Sequence, residues 1–226
     1  MDKGEGEKTF AKLCESYAVA DEETLEENNQ ADKVVAVRVT GLSSIDGITF
    51  RDEQGNIISN PWRTPMDLSE VPFVYDDMKG FENKIIYYET SRGCPFSCSY
   101  CLSSVDKCLR FRDLELVKKE LQFFIDEEVP QVKFVDRTFN CKHDHAMAIW
   151  KFIMEHDKGK TNFHFEVAAD LLNEEEIQLI EQMRPGLIQL EIGVQSTNEE
   201  TICEIRRKMN FDKVADRVTK VKELGN

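Results

Sequence analysis

The chain has 226 residues, 41% of them hydrophobic, and a formal net charge of −14. That length suffices for one or two domains with a real core, while the acidic balance makes nucleic acid and anionic lipid poor partners. No stretch approaches the roughly 20 apolar residues of a membrane span, the start "MDKGEGEKTF" has no apolar signal core, and the seven cysteines make no regular disulfide framework, so the composition predicts a reduced, cytoplasmic chain whose clustered cysteines bind metal.

Residues 8–29 read as one helix, with Phe10, Leu13, Cys14 and Tyr17 at helical spacing. Residues 33–60 hold short β-type runs, "KVVAVRVTGL", "GITFRDEQGN" and "IISNPW", and predict a small hairpin region. Residues 61–83 carry Pro61, Pro65 and Pro72 with little periodicity, and read as an irregular linker. From residue 84 strands and helices alternate. Strands are predicted at "KIIYYETS", "QVKFVDRTF", "NFHFEVAAD" and "LIQLEIGVQ". Helices are predicted at "DLELVKKELQFFIDEEV", "DHAMAIWKFIMEH", "NEEEIQLIEQM", "NEETICEIRRK" and "DKVADRVTKVKEL". The first of these helices gathers Leu114, Val117, Leu121, Phe124 and Ile125 on one face. The alternation means βαβ units around parallel strands, an α/β fold forming an open sheet or part of a barrel.

The strands differ on their two faces. Phe163, Phe165 and Val167 alternate with His164 and Glu166; Ile188, Leu190 and Ile192 alternate with Gln189 and Glu191. Fully buried parallel strands are usually apolar on both faces. A polar face therefore marks either a ligand-filled cavity or a half-covered sheet.

"TSRGCPFSCSYCLSS", residues 90–104, places Cys94, Cys98 and Cys101 just after the first strand of the series, where the sites of such folds lie. A zinc site wants four ligands, usually as two separated pairs; Cys141 with His143 or His145 could complete one, though not at a zinc-ribbon spacing. An iron–sulfur cluster is held by thiolates, and three protein ligands leave one iron open to a small molecule. Cys14 and Cys203 sit at helical positions and read as small hydrophobes; Cys108 and Cys141 are on loops.

"SRGCPFSCSYC" resembles the C-x3-C-x2-C signature of radical S-adenosylmethionine (SAM) enzymes, with Tyr100 as the aromatic before the last cysteine. The resemblance implies a partial (β/α) barrel of parallel strands over residues 84–226, in which Cys94, Cys98 and Cys101 ligate a [4Fe-4S] cluster and SAM chelates the fourth iron. It implies reductive cleavage of SAM to a 5′-deoxyadenosyl radical, an electron donor such as flavodoxin or ferredoxin, and a small-molecule or peptide substrate. "FVDRTFN" puts Asp136 and Phe139 near the SAM amino group. "FEVAAD" is similar to a third-strand motif of a cobalamin-associated subgroup and puts Glu166 at SAM, although Ala168 stands where a basic residue is often found. "EIGVQS" makes Glu191, Gln195 and Ser196 candidates to line the site, and "IRRKM" puts Arg206 or Arg207 at the SAM carboxylate, with Arg206 taken first. The rival readings are a non-catalytic iron–sulfur or zinc module and an anaerobic porphyrinogen oxidase-like enzyme, whose "HIPFC" lead-in is replaced here by "TSRGC".

"GEGEKTF" and the stretch through "PMDLSEVPF" resemble the junction between a cobalamin-binding and a radical SAM domain. The expected organisation is a domain's last helix at 1–32, a hairpin and linker at 33–83, and four βα units at 84–226: a fragment of a longer enzyme, which the resemblance implies is a cobalamin-dependent methyltransferase in full-length form. The D-x-H-x-x-G cobalamin pattern is absent, so cobalamin is expected only in a longer relative.

Overall fold

The computed structural model describes residues 6–27 and 41–224. The β-type run expected at 33–40 lies outside the described residues. The chain divides into two compact units, residues 1–66 and 67–226.

In the first unit, helix α1 spans Gly6–Glu27. Strands β1 (Thr49–Arg51) and β2 (Ile57–Ser59) pair antiparallel, Thr49 opposite Ser59, as the expected hairpin. The Asp52 carboxylate closes the turn by accepting from the Asn56 amide at 2.7 Å, an Asx-type staple. The helix face chosen from periodicity is largely uncovered, with Phe10 66% and Tyr17 48% exposed. Among its described side chains the buried one is Thr9, whose hydroxyl donates to the Asp46 carbonyl at 3.0 Å and accepts from Arg63 Nε at 2.9 Å.

The second unit begins with the irregular stretch expected from the prolines, yet from Asp67 this stretch is packed. Phe73 and Tyr75 set their rings edge-on against Phe124, and Arg112 donates to the carbonyls of Leu68 and Val71. Four parallel strands follow in sequential order: β3 (Ile86–Tyr88), β6 (Gln131–Phe134), β7 (Asn162–Val167) and β8 (Ile188–Ile192). Between the first two, β4 (Ser91–Arg92) and β5 (Arg110–Phe111) form a short antiparallel ribbon. Helices α2 (Leu114–Asp126), α3 (His143–His156) and α4 (Glu174–Glu181) connect the strands, and α5 (Glu199–Glu204) and α6 (Phe211–Glu223) follow β8.

The alternation of each strand decides the layering. Ile86, Val132, Phe134, Phe163, Phe165 and Ile188 turn to the helices and join Leu121, Phe124, Ile149, Trp150 and Ile180 in one core. Tyr87, Lys133, His164, Glu166, Gln189 and Glu191 occupy the alternate positions and form the open face. Helix starts are fixed locally: Asp113 accepts from the Glu115 and Leu116 amides, and Asn173 with Glu176 forms a capping box. The helix expected through "EIRRK" stops at Glu204. The Arg206 amide bonds to the Cys203 carbonyl and the Arg207 amide to that of Ile202, with Arg206 left-handed at φ 54, a Schellman-type end with arginine where glycine is usual.

Candidate functional site

The cysteine loop leaves β4 through Gly93, at φ +94. A Cβ there would lie 2.4 Å from the Cys108 carbonyl oxygen, so only glycine fits. The loop is tied at several points. The Cys94 amide donates to the Asp106 carbonyl at 3.1 Å and the Ser99 amide to that of Ile205 at 2.9 Å. Lys107 donates to the Phe96 carbonyl and, at 2.9 Å, to the Ser97 hydroxyl. Cys94 and Cys98 are buried and Cys101 is half-buried. Among the described residues, no three His, Cys, Asp or Glu side chains converge on a single metal-ion position.

Beside the loop opens a cleft of about 250 Å³, whose lining includes Tyr100, Cys101, Glu166, Glu191, Gln195 and Arg207. Strand ends β7 and β8 supply the two carboxylates as register partners. Gln195 is left-handed at φ 69, and a Cβ on Gly193 would lie 2.8 Å from its Nε2, so the small residue at 193 makes room for that amide. Arg207 Nη1 donates to the Tyr100 hydroxyl at 3.2 Å, another of its nitrogens donates to the Gly193 carbonyl, and its Nε is buried without a partner. A guanidinium with a spare buried donor at a cleft wall is suited to a carboxylate ligand.

Behind the carboxylates, Lys133 Nζ lies 2.9 Å from Glu191 Oε2. That hydrogen bond holds the Glu191 carboxyl below its ordinary range and raises the Lys133 ammonium. His164 Nε2 is 3.1 Å from the same oxygen but lacks hydrogen-bond alignment, so its contact is one of proximity alone.

Four of the expected residues, Asp136, Phe139, Ser196 and Arg206, are not among the cleft lining. Asp136 is fully buried, and its carboxylate accepts from the Thr90 amide (3.0 Å), the Thr90 hydroxyl (2.7 Å) and the Ser91 hydroxyl (2.5 Å). Its oxygens fasten the start of the cysteine loop to the end of β6. Burial pushes its carboxyl up to about 6 against the opposing pull of these donors. The Ser196 hydroxyl accepts from the Asn198 amide at 3.1 Å, just ahead of α5. Arg206 forms the helix-ending turn and leaves Arg207 to reach the wall. Phe139 is fully buried, 4.3 Å from the Phe165 ring centre.

The sequence reading did not single out Arg137, Asp170 or Lys208, which also line the cleft, or Asn140. The Asn140 side chain exchanges two 3.0 Å hydrogen bonds with the backbone of Ala168, pinning the end of the strand that carries Glu166. Its only signal was its place on a βα loop.

The model of the radical SAM superfamily matches residues 88–226. An uncharacterized methyltransferase of Pyrococcus horikoshii is 27% identical over 157 residues, covering 65% of this chain and 30% of that protein. A candidate methylthiotransferase of Methanocaldococcus jannaschii is 21% identical over 197 residues, covering 80% of this chain and 42% of that protein. The chain thus spans less than half the length of these relatives. Among solved structures, the radical SAM methyltransferase TsrM from Kitasatospora setae, with cobalamin and a [4Fe-4S] cluster bound, superposes with a TM-score of 0.71 at 17% identity, over 99% of this chain and 44% of that one. The cobalamin-dependent SAM radical enzyme OxsB, with aqua-cobalamin and SAM bound, gives 0.67 at 19% identity, over 92% and 31%. At such identities the likeness concerns the fold, which is the α/β architecture with parallel strands described above. With more than half of its length matched by the family model, the chain belongs to the radical SAM superfamily.

Proposed function

We propose that Cys94, Cys98 and Cys101 hold a [4Fe-4S] cluster and that the adjoining cleft binds SAM for reductive cleavage. The observation that carries this reading is the shared cleft: Cys101 and Tyr100 from the cysteine loop face the same space as Glu166, Glu191, Gln195 and Arg207 from the strand ends. The donor set fits such a group. The loop offers three thiols, two buried and one at the cleft, and its backbone is held by bonds to Asp106 and Ile205 that do not use the sulfurs.

Cys94, Cys98 and Cys101 would hold the cluster, which would supply the electron for carbon–sulfur cleavage of the SAM sulfonium, with an external donor such as flavodoxin or ferredoxin restoring it. The chain's own residues position and shield. Arg207, at the cleft wall, offers a guanidinium charge to a carboxylate. The Glu166 and Glu191 oxygens are placed to accept hydrogen bonds from hydroxyls. The half-buried cysteine loop excludes water from one side. The open-face carboxylates favour the cavity reading of the polar face over a merely solvated one.

Methyl transfer by a longer protein is a second reading, supported by the methyltransferase names of the relatives. Binding of a corrin is proposed for such a protein and not for this chain. A reducing, cytoplasmic setting belongs to the same proposal, since the thiols must stay reduced to bind iron. A zinc module is less favoured, because the loop offers three clustered thiols and the sequence has no second pair at zinc-ribbon spacing.

Anaerobic loading with iron and sulfide tests the cluster. The protein should take up about four irons, and Cys98→Ala should take up far fewer. Stoichiometric zinc retained in preference to iron would contradict it.

A further inference from the structure

Glu166 and Glu191 are register partners on adjacent parallel strands, and both line the cleft. Neighbouring strands lie about 4.8 Å apart, so two carboxylates at one register position repel unless a cation lies between or beneath them. Among the described residues of the open face, Lys133 answers that need most directly. Lys133 sits on β6, one register row back, beside His164 and Gln189. Its side chain spans the whole of β7 to place Nζ 2.9 Å from Glu191 Oε2. Along this path it also feels the negative charge of Glu166, which raises the ammonium further. The side chain is only 24% exposed, although the Glu191 side chain it holds is 52% exposed. The bond goes to Oε2 alone. Oε1 of Glu191 has no partner among the described residues, and Glu191 lines the cleft.

We infer that Lys133 is a positioning residue for the cleft carboxylates: it pins one oxygen of Glu191, offsets the repulsion between Glu191 and Glu166, and so leaves a fixed, ionised oxygen to receive a ligand hydroxyl. The inference rests on the reading of the cleft as a SAM site. Lysine suits the task because its point charge sits on a long flexible stem that can cross a neighbouring strand. His164 flanks the pair without an aligned hydrogen bond, so it does not replace Lys133.

The test measures S-adenosylhomocysteine affinity of the anaerobically iron-loaded full chain by calorimetry, with iron content and thermal unfolding recorded for each variant. Lys133→Met should weaken binding about tenfold or more, with iron content unchanged. Lys133→Arg, which keeps the charge and the reach, should recover most of the loss. The deciding comparison is a double-mutant cycle. In a Glu191→Gln background, Lys133→Met should cost less than about threefold, because the group it positions has lost its charge. An equal loss in both backgrounds, or unchanged affinity in Lys133→Met, overturns the inference while leaving the SAM site standing. Failure of the unmodified, iron-loaded chain to bind S-adenosylhomocysteine overturns the functional reading, and this inference with it.

Discussion

Asp136 takes both the amide and the hydroxyl hydrogen of Thr90, and with the Ser91 hydroxyl it fastens the first residues of the cysteine loop to the end of the second core strand. The Thr90 hydroxyl has one proton, given to Asp136, so at its 3.1 Å contact with His145 Nε2 it accepts, and the neutral ring carries its proton on Nε2. Asp136→Ala should leave three buried donors without an acceptor. We expect a loss of about 2–4 kcal/mol in denaturant unfolding, and slower iron uptake because the loop start is released. Unchanged stability would refute the fastening role.

Asp136 and His145 predict opposite pH dependences. Burial raises Asp136 from 3.8 to about 6, so the folded state holds a proton that the unfolded chain has released. That contribution is full below about 4 and is lost as pH rises through 6. Burial lowers His145 from 6.5 to about 4, so its contribution is full above 6.5 and is lost as pH falls toward 4. The two oppose each other in the unmodified protein. Asp136→Asn should unmask a stability that rises from pH 4 to 6.5, and His145→Gln one that falls over the same range. Two variants with slopes of the same sign would contradict the assignment.

Arg112 and Glu120 form a buried bidentate pair at 2.5 and 2.9 Å, and the Tyr88 hydroxyl donates to the same carboxylate at 2.5 Å. Glu120→Ala should cost about 3–5 kcal/mol, because it strands a buried guanidinium. The double replacement Arg112→Met with Glu120→Leu should cost much less. Chemical unfolding of the three proteins checks this, and equal losses would show that packing, not stranded charge, sets the cost.

Arg206 and Arg207 separate cleanly. Arg206→Gly relieves a left-handed residue and should stabilise the chain by about 0.5–1 kcal/mol without weakening S-adenosylhomocysteine binding. Arg207→Ala removes the guanidinium at the cleft wall and should weaken that binding, with a stability loss of about 1 kcal/mol from its bonds to Tyr100 and Gly193. The reverse pattern would return the ligand contact to Arg206.

Much of this was legible in the chain. The alternation of Phe163 and Phe165 with His164 and Glu166 gave strand, core face and open face together, because a two-residue period leaves no choice once one face is apolar. The spacing of Cys94, Cys98 and Cys101 marked the loop, since three thiols so close have few structural uses. What escaped depended on tertiary partners. Asp136 stood in a plausible motif, but its neighbours Thr90 and Ser91 lie about 45 positions earlier and consume its oxygens. The arginine at the wall depended on where α5 ends, and a helix boundary one residue away exchanges the roles of 206 and 207. Lys133 carried no signal in the sequence, because its partner lies 58 positions later.

The most direct measurement is the electron paramagnetic resonance spectrum of the reduced, iron-loaded chain with and without SAM. A cluster on Cys94, Cys98 and Cys101 with an iron open to the cleft predicts a signal whose g-values shift when SAM is added, and a Cys98→Ala protein that gives neither signal nor shift. A cluster signal indifferent to saturating SAM would contradict the account.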